Sequence, residues 1–137
     1  MAQAFNKLNP FVEDMAEGVH NLGSDQLKVA LTNTEPSATD DQLSDITEIS
    51  YTNCSSRDVT TSSSAQTSGT YKLVLADLTL TASGGTVGPF QYAVLYNDAA
   101  TNDELIGYYD YGTATTLNDG DEFEIDFDGS NGVLTLA

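Results

Sequence analysis

Residues 122–128 have the sequence Glu-Phe-Glu-Ile-Asp-Phe-Asp, in which apolar and acidic side chains alternate at every position. Side chains along a β-strand point alternately to the two faces of the sheet. A strand at this place therefore puts Phe123, Ile125 and Phe127 into a core and leaves four carboxylates in solvent. The pattern predicts an antiparallel β-scaffold with an acidic outer surface.

Several more strands are predicted, because apolar and aromatic residues recur between turn signals such as Asn118-Asp119-Gly120. The predicted strands are Gln26–Thr32, Tyr71–Thr81, Phe90–Tyr96, Glu104–Tyr111, Glu122–Asp128 and Val133–Leu136. Short strands at this spacing are typical of a sandwich. We expect a mainly β protein, an antiparallel, jelly-roll-like β-sandwich over residues 24–137.

Residues 1–23 predict a lead-in segment and a single α-helix. Apolar residues recur there at helical steps of three and four, namely Phe5, Leu8, Val12, Met15 and Val19. Asn9 offers a cap before Pro10, and Gly23 offers a stop, so the helix is predicted at about Pro10–Asn21. Its apolar stripe docks either on its own sheet or on a neighbouring subunit. The sequence shows no linker and no repeat, so residues 1–137 are expected to form one domain.

The middle of the chain, residues 37–70, is the least regular part. Ile46, Ile49 and Tyr51 predict a short helical turn or a strand, and Arg57–Thr70 predicts a loop or a polar edge strand. Cys54 is the single cysteine, which excludes a disulfide within the chain and a cysteine-cluster metal site. It is either an incidental thiol or a bridge between two copies.

The charge balance limits the partners. The chain has 21 acidic residues against 4 basic ones, for a net charge of −17. Nucleic acids and anionic membranes are bound through Lys and Arg, so neither is an expected partner. The acidity is open to four interpretations: solubility, a basic protein partner, divalent-cation binding, or adaptation to concentrated salt.

No targeting or membrane signal is recognised in the sequence. The start lacks the basic and apolar regions of a signal peptide, and no apolar run approaches the roughly 20 residues that cross a bilayer. We expect a soluble protein that does not leave the cell by the usual signal route.

Catalytic chemistry has little support in the sequence. His20 is the single histidine, and it lies near the predicted end of the helix, where it can interact favourably with the helix dipole. The chain contains no Gly-x-Ser-x-Gly elbow, no phosphate-binding glycine loop and no dinucleotide fingerprint. We expect no catalytic residue, no cofactor and no enzyme activity.

One acidic stretch is a candidate calcium site, because calcium takes six to eight oxygen ligands, often from Asp and Asn on turns. The candidate ligands are Asp119, Asp121, Asp126, Asp128 and Asn131. Their spacing does not match an EF-hand loop. The alternative is a solvated acidic face, with no metal bound.

Aromatic residues concentrate in two of the predicted strands. Phe90, Tyr92 and Tyr96 are expected on one face, in the core, whereas Tyr108 falls opposite Tyr109 and Tyr111. Some of the second group must then face outward, where tyrosine is favoured for protein interfaces and sugar contacts. The alternative is that they line the core with their hydroxyls at its rim. The candidate partner interface consists of Phe5, Leu8, Tyr108, Tyr109 and Tyr111.

Five stretches of the chain together resemble a known group of proteins. They are Asp25–Pro36, Gly88–Asp98, Leu105–Gly112, Leu117–Phe127 and Gly132–Ala137. The chain is similar to a family of small structural proteins of tailed bacteriophages, described as virion or tail-fibre-like proteins. The resemblance implies a part of the virion, assembled in the host cytoplasm, and it does not specify which part.

Charge helps to choose the part, because packaged DNA would repel a chain of −17. The expectation is a decoration or cement protein on the outer capsid shell, with the major capsid protein and copies of itself as partners. The alternative is a tail or tail-fibre component that contacts tail proteins or a host surface glycan. A stand-alone hydrolase or lectin is a third class, which a measurable sugar or calcium affinity would support.

Overall fold

The computed structural model describes residues 3–137 and shows a mainly β protein with one short α-helix, α1, at Pro10–Ala16. A 3₁₀ turn spans Leu43–Asp45. The strands are β1 (Phe5–Lys7), β2 (Leu27–Thr32), β3 (Asp58–Val59), β4 (Thr61–Thr67), β5 (Thr70–Leu75), β6 (Leu78–Thr81), β7 (Val87–Asn97), β8 (Leu105–Leu117), β9 (Glu122–Ile125) and β10 (Leu134–Leu136). No helix among the described residues is long and apolar enough to cross a membrane.

The strands form three sheets, and every pairing is antiparallel. The largest sheet has the order β1-β8-β7-β2-β3, the second β10-β5-β4, and the third pairs β6 with β9. All three sheets contribute to one hydrophobic core, for example Leu95 from the first, Leu73 from the second and Ile125 from the third. The expected mainly β, sandwich-like class with one helix is confirmed.

A second, smaller hydrophobic cluster lies on the other face of the five-stranded sheet. Val94 and Tyr96 of β7 belong to it, whereas Ala93 and Leu95 of the same strand belong to the main core. The N-terminal Leu8 covers this second cluster, together with Ile46 from the middle of the chain. The centre of the large sheet is therefore buried on both faces.

The apolar residues of the stretch 122–128 point into the core as predicted, but the strand is shorter than the predicted Glu122–Asp128. It ends at Ile125, and Asp126 and Asp128 are half-buried and not fully in solvent. Ile125 and Phe127 are fully buried, and the half-buried Phe123 packs edge-on against Phe90 with ring centroids 5.2 Å apart. Glu122 and Glu124 are exposed. Regular pairing ends at Ile125, and the next core residue is held differently, because the Phe127 backbone N–H donates to Asp77 Oδ1 at 2.9 Å.

The helix is shorter than predicted, because it ends at Gly18 and not at Gly23. Gly18 has a φ of +79°, a left-handed conformation that glycine adopts without steric cost. The Val19 N–H donates to the Asp14 carbonyl at 2.9 Å, which is the bond of a Schellman motif. Asn9 stands at the N-cap position, but its side chain makes no capping hydrogen bond.

The predicted strand Tyr71–Thr81 is two strands in two sheets. The apolar alternation breaks between Leu75 and Leu78, and Ala76-Asp77 carries the chain from β5 in one sheet to β6 in another. This break in phase was visible in the sequence. Because side chains alternate with a period of two, such a break indicates either a bulge or the end of a strand, and here the strand ends.

Phe90 and Tyr92 do not share a face, contrary to the prediction. Between these two residues β7 advances by two positions while its partner β8 advances from Thr115 to Asp110, an irregularity of the β-bulge kind, and the side chains change face across it. Phe90 therefore lies in the main core, whereas Tyr92 forms an aromatic pair with Tyr108. Tyr108 does lie opposite Tyr109 and Tyr111, as predicted.

The polar segment before Tyr71 includes the predicted edge strand. Strand β4 is an outer strand of its sheet and is mostly exposed.

Earlier in the chain, Arg57 attaches the loop that precedes β3 to β2, and we call its contacts the arginine clamp. The Arg57 guanidinium lies 3.6 Å from the centre of the Tyr51 ring and donates to the Val29 carbonyl at 2.7 Å. The Tyr51 hydroxyl donates to Glu48 at 2.7 Å and accepts from the Leu31 N–H at 2.9 Å.

The first prediction tests the two faces of residues 122–128. Replacing Ile125 by Ala removes a fully buried side chain and should lower the free energy of unfolding by about 2–5 kcal/mol. The matched change Glu124→Ala, on the exposed face of the same strand, should alter it by less than about 0.5 kcal/mol. Urea unfolding of the two variants decides the matter, and equal losses would contradict the assignment of faces.

The second prediction concerns the contact of β1 with Gly107. A Cβ atom there would lie 2.5 Å from the Phe5 ring and 2.6 Å from the Asn6 carbonyl oxygen. Gly107→Ala should therefore displace β1, reduce amide protection at residues 5–7 in hydrogen exchange, and cost about 1–3 kcal/mol. Gly129→Ala is the control, because a Cβ atom at Gly129 meets open space. Unchanged protection of β1 in Gly107→Ala would refute the proposed close contact.

Candidate functional site

The predicted partner interface divides into buried and accessible residues. Leu8 is fully buried and Tyr109 is 3% exposed, so the structure removes both from the interface. Each fills a hydrophobic cluster within the chain, which is why its apolar character is needed. Phe5 and Tyr111 are half-buried and pack on the main core, where the Phe5 ring meets Tyr109 edge-on at 5.2 Å.

Tyr108 is the predicted interface residue that faces away from the main core. Its ring lies 6.2 Å from that of Tyr92, in an edge-to-face pair on the outer side of the five-stranded sheet. Burial raises the pKa of both hydroxyls, and the negative charges of Glu35 and Asp110 raise it further. Both tyrosines therefore stay neutral, with an aromatic face and a hydroxyl beside two acids.

The five candidate calcium ligands lie in two turns, and four of them make hydrogen bonds within those turns, whereas Asp119 bonds to a separate loop. Asp119 Oδ1 accepts from the Gly84 N–H at 3.0 Å, and Asp121 Oδ2 accepts from the Asn118 N–H at 2.9 Å. Asp128 accepts from the backbone N–H of Asn131 at 3.0 Å and from its side chain, which holds the pKa of Asp128 below its usual range. Asp126 Oδ1 accepts from the Asp128 N–H at 3.0 Å.

These turns do not assemble a metal site in the described part of the chain. Among residues 3–137 no group of three or more His, Cys, Asp or Glu side chains is arranged to hold a metal ion. The candidate ligands act as Asx-type caps that close tight turns. Their chemistry explains why acids and glycines alternate there without requiring calcium.

Cys54 is half-buried in the loop beside the arginine clamp. Burial raises the pKa of its thiol, and the nearby positive charge of Arg57 opposes that shift. A raised pKa leaves little thiolate at neutral pH, and thiolate is the reactive form. The geometry favours an incidental thiol.

His20 lies in a buried polar cluster that the sequence did not reveal. It is 6% exposed, and its ring lies 5.3 Å from that of Phe11. The side-chain amide nitrogen of the fully buried Asn97 lies 3.0 Å from His20 Nδ1 and 2.6 Å from Asp25 Oδ2. Burial lowers the pKa of His20, although Glu104, Asp25 and Asp41 oppose the shift.

An acid pair lies near this cluster and joins α1 to the loop after β2. Asp14 Oδ2 and Asp41 Oδ1 are buried and receive no hydrogen bond from a donor group of the described residues. The Asp14 carboxyl lies within hydrogen-bonding reach of the Asp41 carboxyl, and a proton on Asp14 allows it to donate to Asp41. Burial, this bond and the charges of Asp41, Glu104 and Glu13 raise the pKa of Asp14 to about 6. The pair is a structural contact that depends on one proton.

An apolar groove opens where the end of α1 meets the three-stranded sheet. Its volume is about 510 Å³, and its apolar walls are Met15, Leu22, Tyr71 and Leu136. His20 also lines it, which connects the groove to the polar cluster behind it. The groove could not be predicted from the sequence, because its walls come from distant parts of the chain. The only signal was an apolar residue, Leu136, in a strand that pairs on one side.

The third prediction concerns the acid pair. The pKa of Asp14 lies above the ordinary value of 3.8, so the folded state binds the proton of this carboxyl more tightly than the unfolded chain does. The contribution to stability is thus complete below pH 3.8 and is lost as the pH rises to about 6. Asp14→Asn keeps a hydrogen-bond donor at every pH, so its stability relative to the wild type should increase across this window.

Urea unfolding at a series of pH values measures this difference. Glu17→Gln removes an exposed charge next to the same helix and serves as the control, with a wild-type pH profile. If the difference between wild type and Asp14→Asn stays constant from pH 3.8 to 7, the shared proton is refuted.

The chain was also compared with known proteins. Protein-family models, curated proteins and solved structures gave no match. The groove, the tyrosine pair and the charge of the surface are therefore the basis on which a function is proposed.

Proposed function

We propose that this protein is a non-enzymatic structural component of a tailed-phage virion, and specifically a decoration protein on the outer shell of the capsid. The charge of the chain carries the proposal. A net charge of −17 suits a surface that faces solvent and away from packaged DNA. The resemblance of the strand sequences to small phage structural proteins supplies the setting.

Three of the four basic residues of the chain make contacts within the chain, so they do little to offset this charge for a partner. Lys28 lies 3.9 Å from Asp58, and Arg57 lies 4.0 Å from Glu48. Lys72 donates to the Ser130 carbonyl at 3.1 Å. The surface that a partner meets is therefore strongly negative, and it favours a partner with basic patches.

The single histidine has a structural role in this proposal. His20 is buried against Phe11, and its Nδ1 lies 3.0 Å from the side-chain amide nitrogen of Asn97, so contacts within the chain hold its ring in place. Buried polar groups with defined partners specify one packing arrangement. This role fits a building block whose function is assembly.

Binding to an assembled shell stabilises that shell by mass action, because the protein binds the assembled state and not its separated subunits. Each contact needs only a standard interface of about 1,600 Å², and the symmetry of the shell repeats it many times. A rigid β-domain with its core buried on two faces is well suited to this task.

The alternative, a tail component that contacts a host glycan, is favoured by one observation. Tyr108 is half-buried on the outer sheet face, where its ring packs against the buried Tyr92, and Gln91 donates to Asp110 at 2.9 Å nearby. Aromatic faces beside acids and amides suit the apolar and hydroxyl sides of sugar rings. Tyr108→Ala should then abolish adsorption without altering capsid strength.

The fourth prediction tests decoration directly. Phage particles assembled without this protein should release their DNA at a temperature several degrees lower than complete particles. Adding the purified protein back should restore the original temperature, because the same binding free energy stabilises the shell. A DNA-binding dye during a thermal ramp reports the release.

Two other outcomes overturn the decoration proposal. Normal shell strength combined with failed adsorption would place the protein in the tail. Normal shell strength with full infectivity would remove any structural role in the particle.

A further inference from the structure

We propose that a small polar pocket beside strand β2 binds a phosphate group, through the side chains of Lys28, Arg57, Ser55 and Ser56. All four residues line one cavity of about 230 Å³. This binding is separate from the proposed role in the virion and does not depend on it.

Half of the basic residues of the chain line this pocket. The chain has four in all, and two of them, Lys28 and Arg57, lie in its wall. Of the 21 acidic residues, only Asp58 lines it. The pocket therefore has a local excess of positive charge in a chain whose net charge is −17, and such a place favours an anion.

The Lys28 ammonium group has donors to spare. Its ion pair with Asp58 is 3.9 Å long, which is beyond hydrogen-bond distance, and it donates to no other group of residues 3–137. The Lys28 side chain is only 27% exposed. Because an ammonium group carries three N–H donors and half-buried polar groups normally find partners, Lys28 is ready to bind an oxyanion.

Arg57 is held in place by the arginine clamp and also keeps free donors. Its guanidinium stacks 3.6 Å from the centre of the Tyr51 ring and donates to the Val29 carbonyl at 2.7 Å. The Tyr96 hydroxyl lies within hydrogen-bonding reach, and the ion pair with Glu48 is long, at 4.0 Å. A guanidinium has five N–H donors, so these contacts do not use all of them. An anchored guanidinium is a preorganised partner for phosphate oxygens.

Two serine hydroxyls complete the set of donors. Ser55 Oγ accepts from the Thr81 N–H at 2.9 Å, and Ser56 Oγ accepts from the Asp58 N–H at 3.2 Å. These bonds fix the position of both oxygens, and neither hydroxyl donates to an acceptor in the described part of the chain. Each therefore keeps one proton for a ligand in the pocket.

The donors suit phosphate better than a carboxylate. A phosphate monoester carries a charge of about −1.5 to −2 at neutral pH and three strong acceptor oxygens, which matches two cations and two hydroxyls. A carboxylate brings one charge and two oxygens in a plane. The cavity of about 230 Å³ is smaller than the roughly 300–1,000 Å³ of pockets that enclose whole ligands, so it suits one small group.

The acidity of the rest of the surface does not prevent this binding. At physiological ionic strength charges act over about 8 Å, so an ion in the pocket responds mainly to the groups beside it. The competing acid, Asp58, is 57% exposed in its side chain and makes only the long contact with Lys28. Exposed pairs of this kind contribute little to stability, so phosphate replaces Asp58 at low cost.

The experiment titrates the full chain with inorganic phosphate at neutral pH and constant ionic strength, and follows the backbone amides by NMR. Saturable shifts should centre on residues 54–58. Lys28→Gln should weaken binding about tenfold, because a charge-assisted hydrogen bond is lost. Lys7→Gln removes the same charge from an exposed position on β1 and should leave the affinity within about twofold.

A second variant should strengthen binding, a result that a misfolded protein cannot give. Asp58→Asn removes the competing carboxylate, so the affinity for phosphate should rise severalfold. Glu124→Gln removes an exposed acid from β9 in another sheet and is the matched control, with unchanged affinity.

Two further anions define the ligand. Acetate should bind much more weakly than phosphate. Methyl phosphate has the same oxygens with one of them esterified, so binding equal to that of phosphate identifies a phosphorylated molecule as the ligand, and weaker binding identifies the free ion.

Four results would each overturn the inference. They are the absence of saturable shifts at residues 54–58, equal affinity in Lys28→Gln and Lys7→Gln, no gain in Asp58→Asn, and equal affinity for acetate and phosphate.

Discussion

The burial of strand β7 on both faces is the constraint on which the other elements depend. Every residue from Tyr92 to Asn97 is buried, so neither face of the strand meets solvent. One face contributes to the main core and the other to the second cluster, while β2 and β8 pair with its two edges. The N-terminal segment and the middle loop must therefore cover one face, and the two smaller sheets must cover the other. This requirement explains why poorly patterned segments such as residues 37–59 are nevertheless ordered against the sheet.

The acidity of the chain has two physical consequences that act in opposite directions. Exposed acids repel one another and keep the surface solvated, and the apolar cores must offset that repulsion. Where acids are partly buried, the structure either provides donors, as the backbone does for Asp128, or retains a proton, as between Asp14 and Asp41. The same acidity thus gives the protein a strongly negative surface and makes one internal contact sensitive to pH.

The end of α1 brings several of these features together. Gly18 terminates the helix, His20 leads into the buried polar cluster, and Met15 forms a wall of the groove. Asp14, on the same short helix, is held by the acid pair. One wall of the groove therefore stands on a helix of only seven residues.

Much of the strand content was predictable from the sequence alone, because a period of two in polarity is a local property. The core positions of residues 122–128 and the opposite faces of Tyr108 and Tyr109 follow from that period. The split at Ala76-Asp77 was also present as a break in phase. The bulge before Tyr92 was not, since an extra residue in one strand is defined by its partner strand. The end of the helix at Gly18 depended on a left-handed conformation that either glycine, Gly18 or Gly23, was able to supply.

The candidate sites divide in the same way. The sequence by itself determined the charge, the strand periodicity and the supply of acids, tyrosines and a single histidine, because these are properties of composition and local order. Only the tertiary structure decided that Leu8 and Tyr109 are buried, that the five supposed calcium ligands close two turns, and that Met15, Leu22, Tyr71 and Leu136 share one groove. Those outcomes depend on which distant segments come into contact. The packing of the other elements against the two faces of β7 sets those contacts.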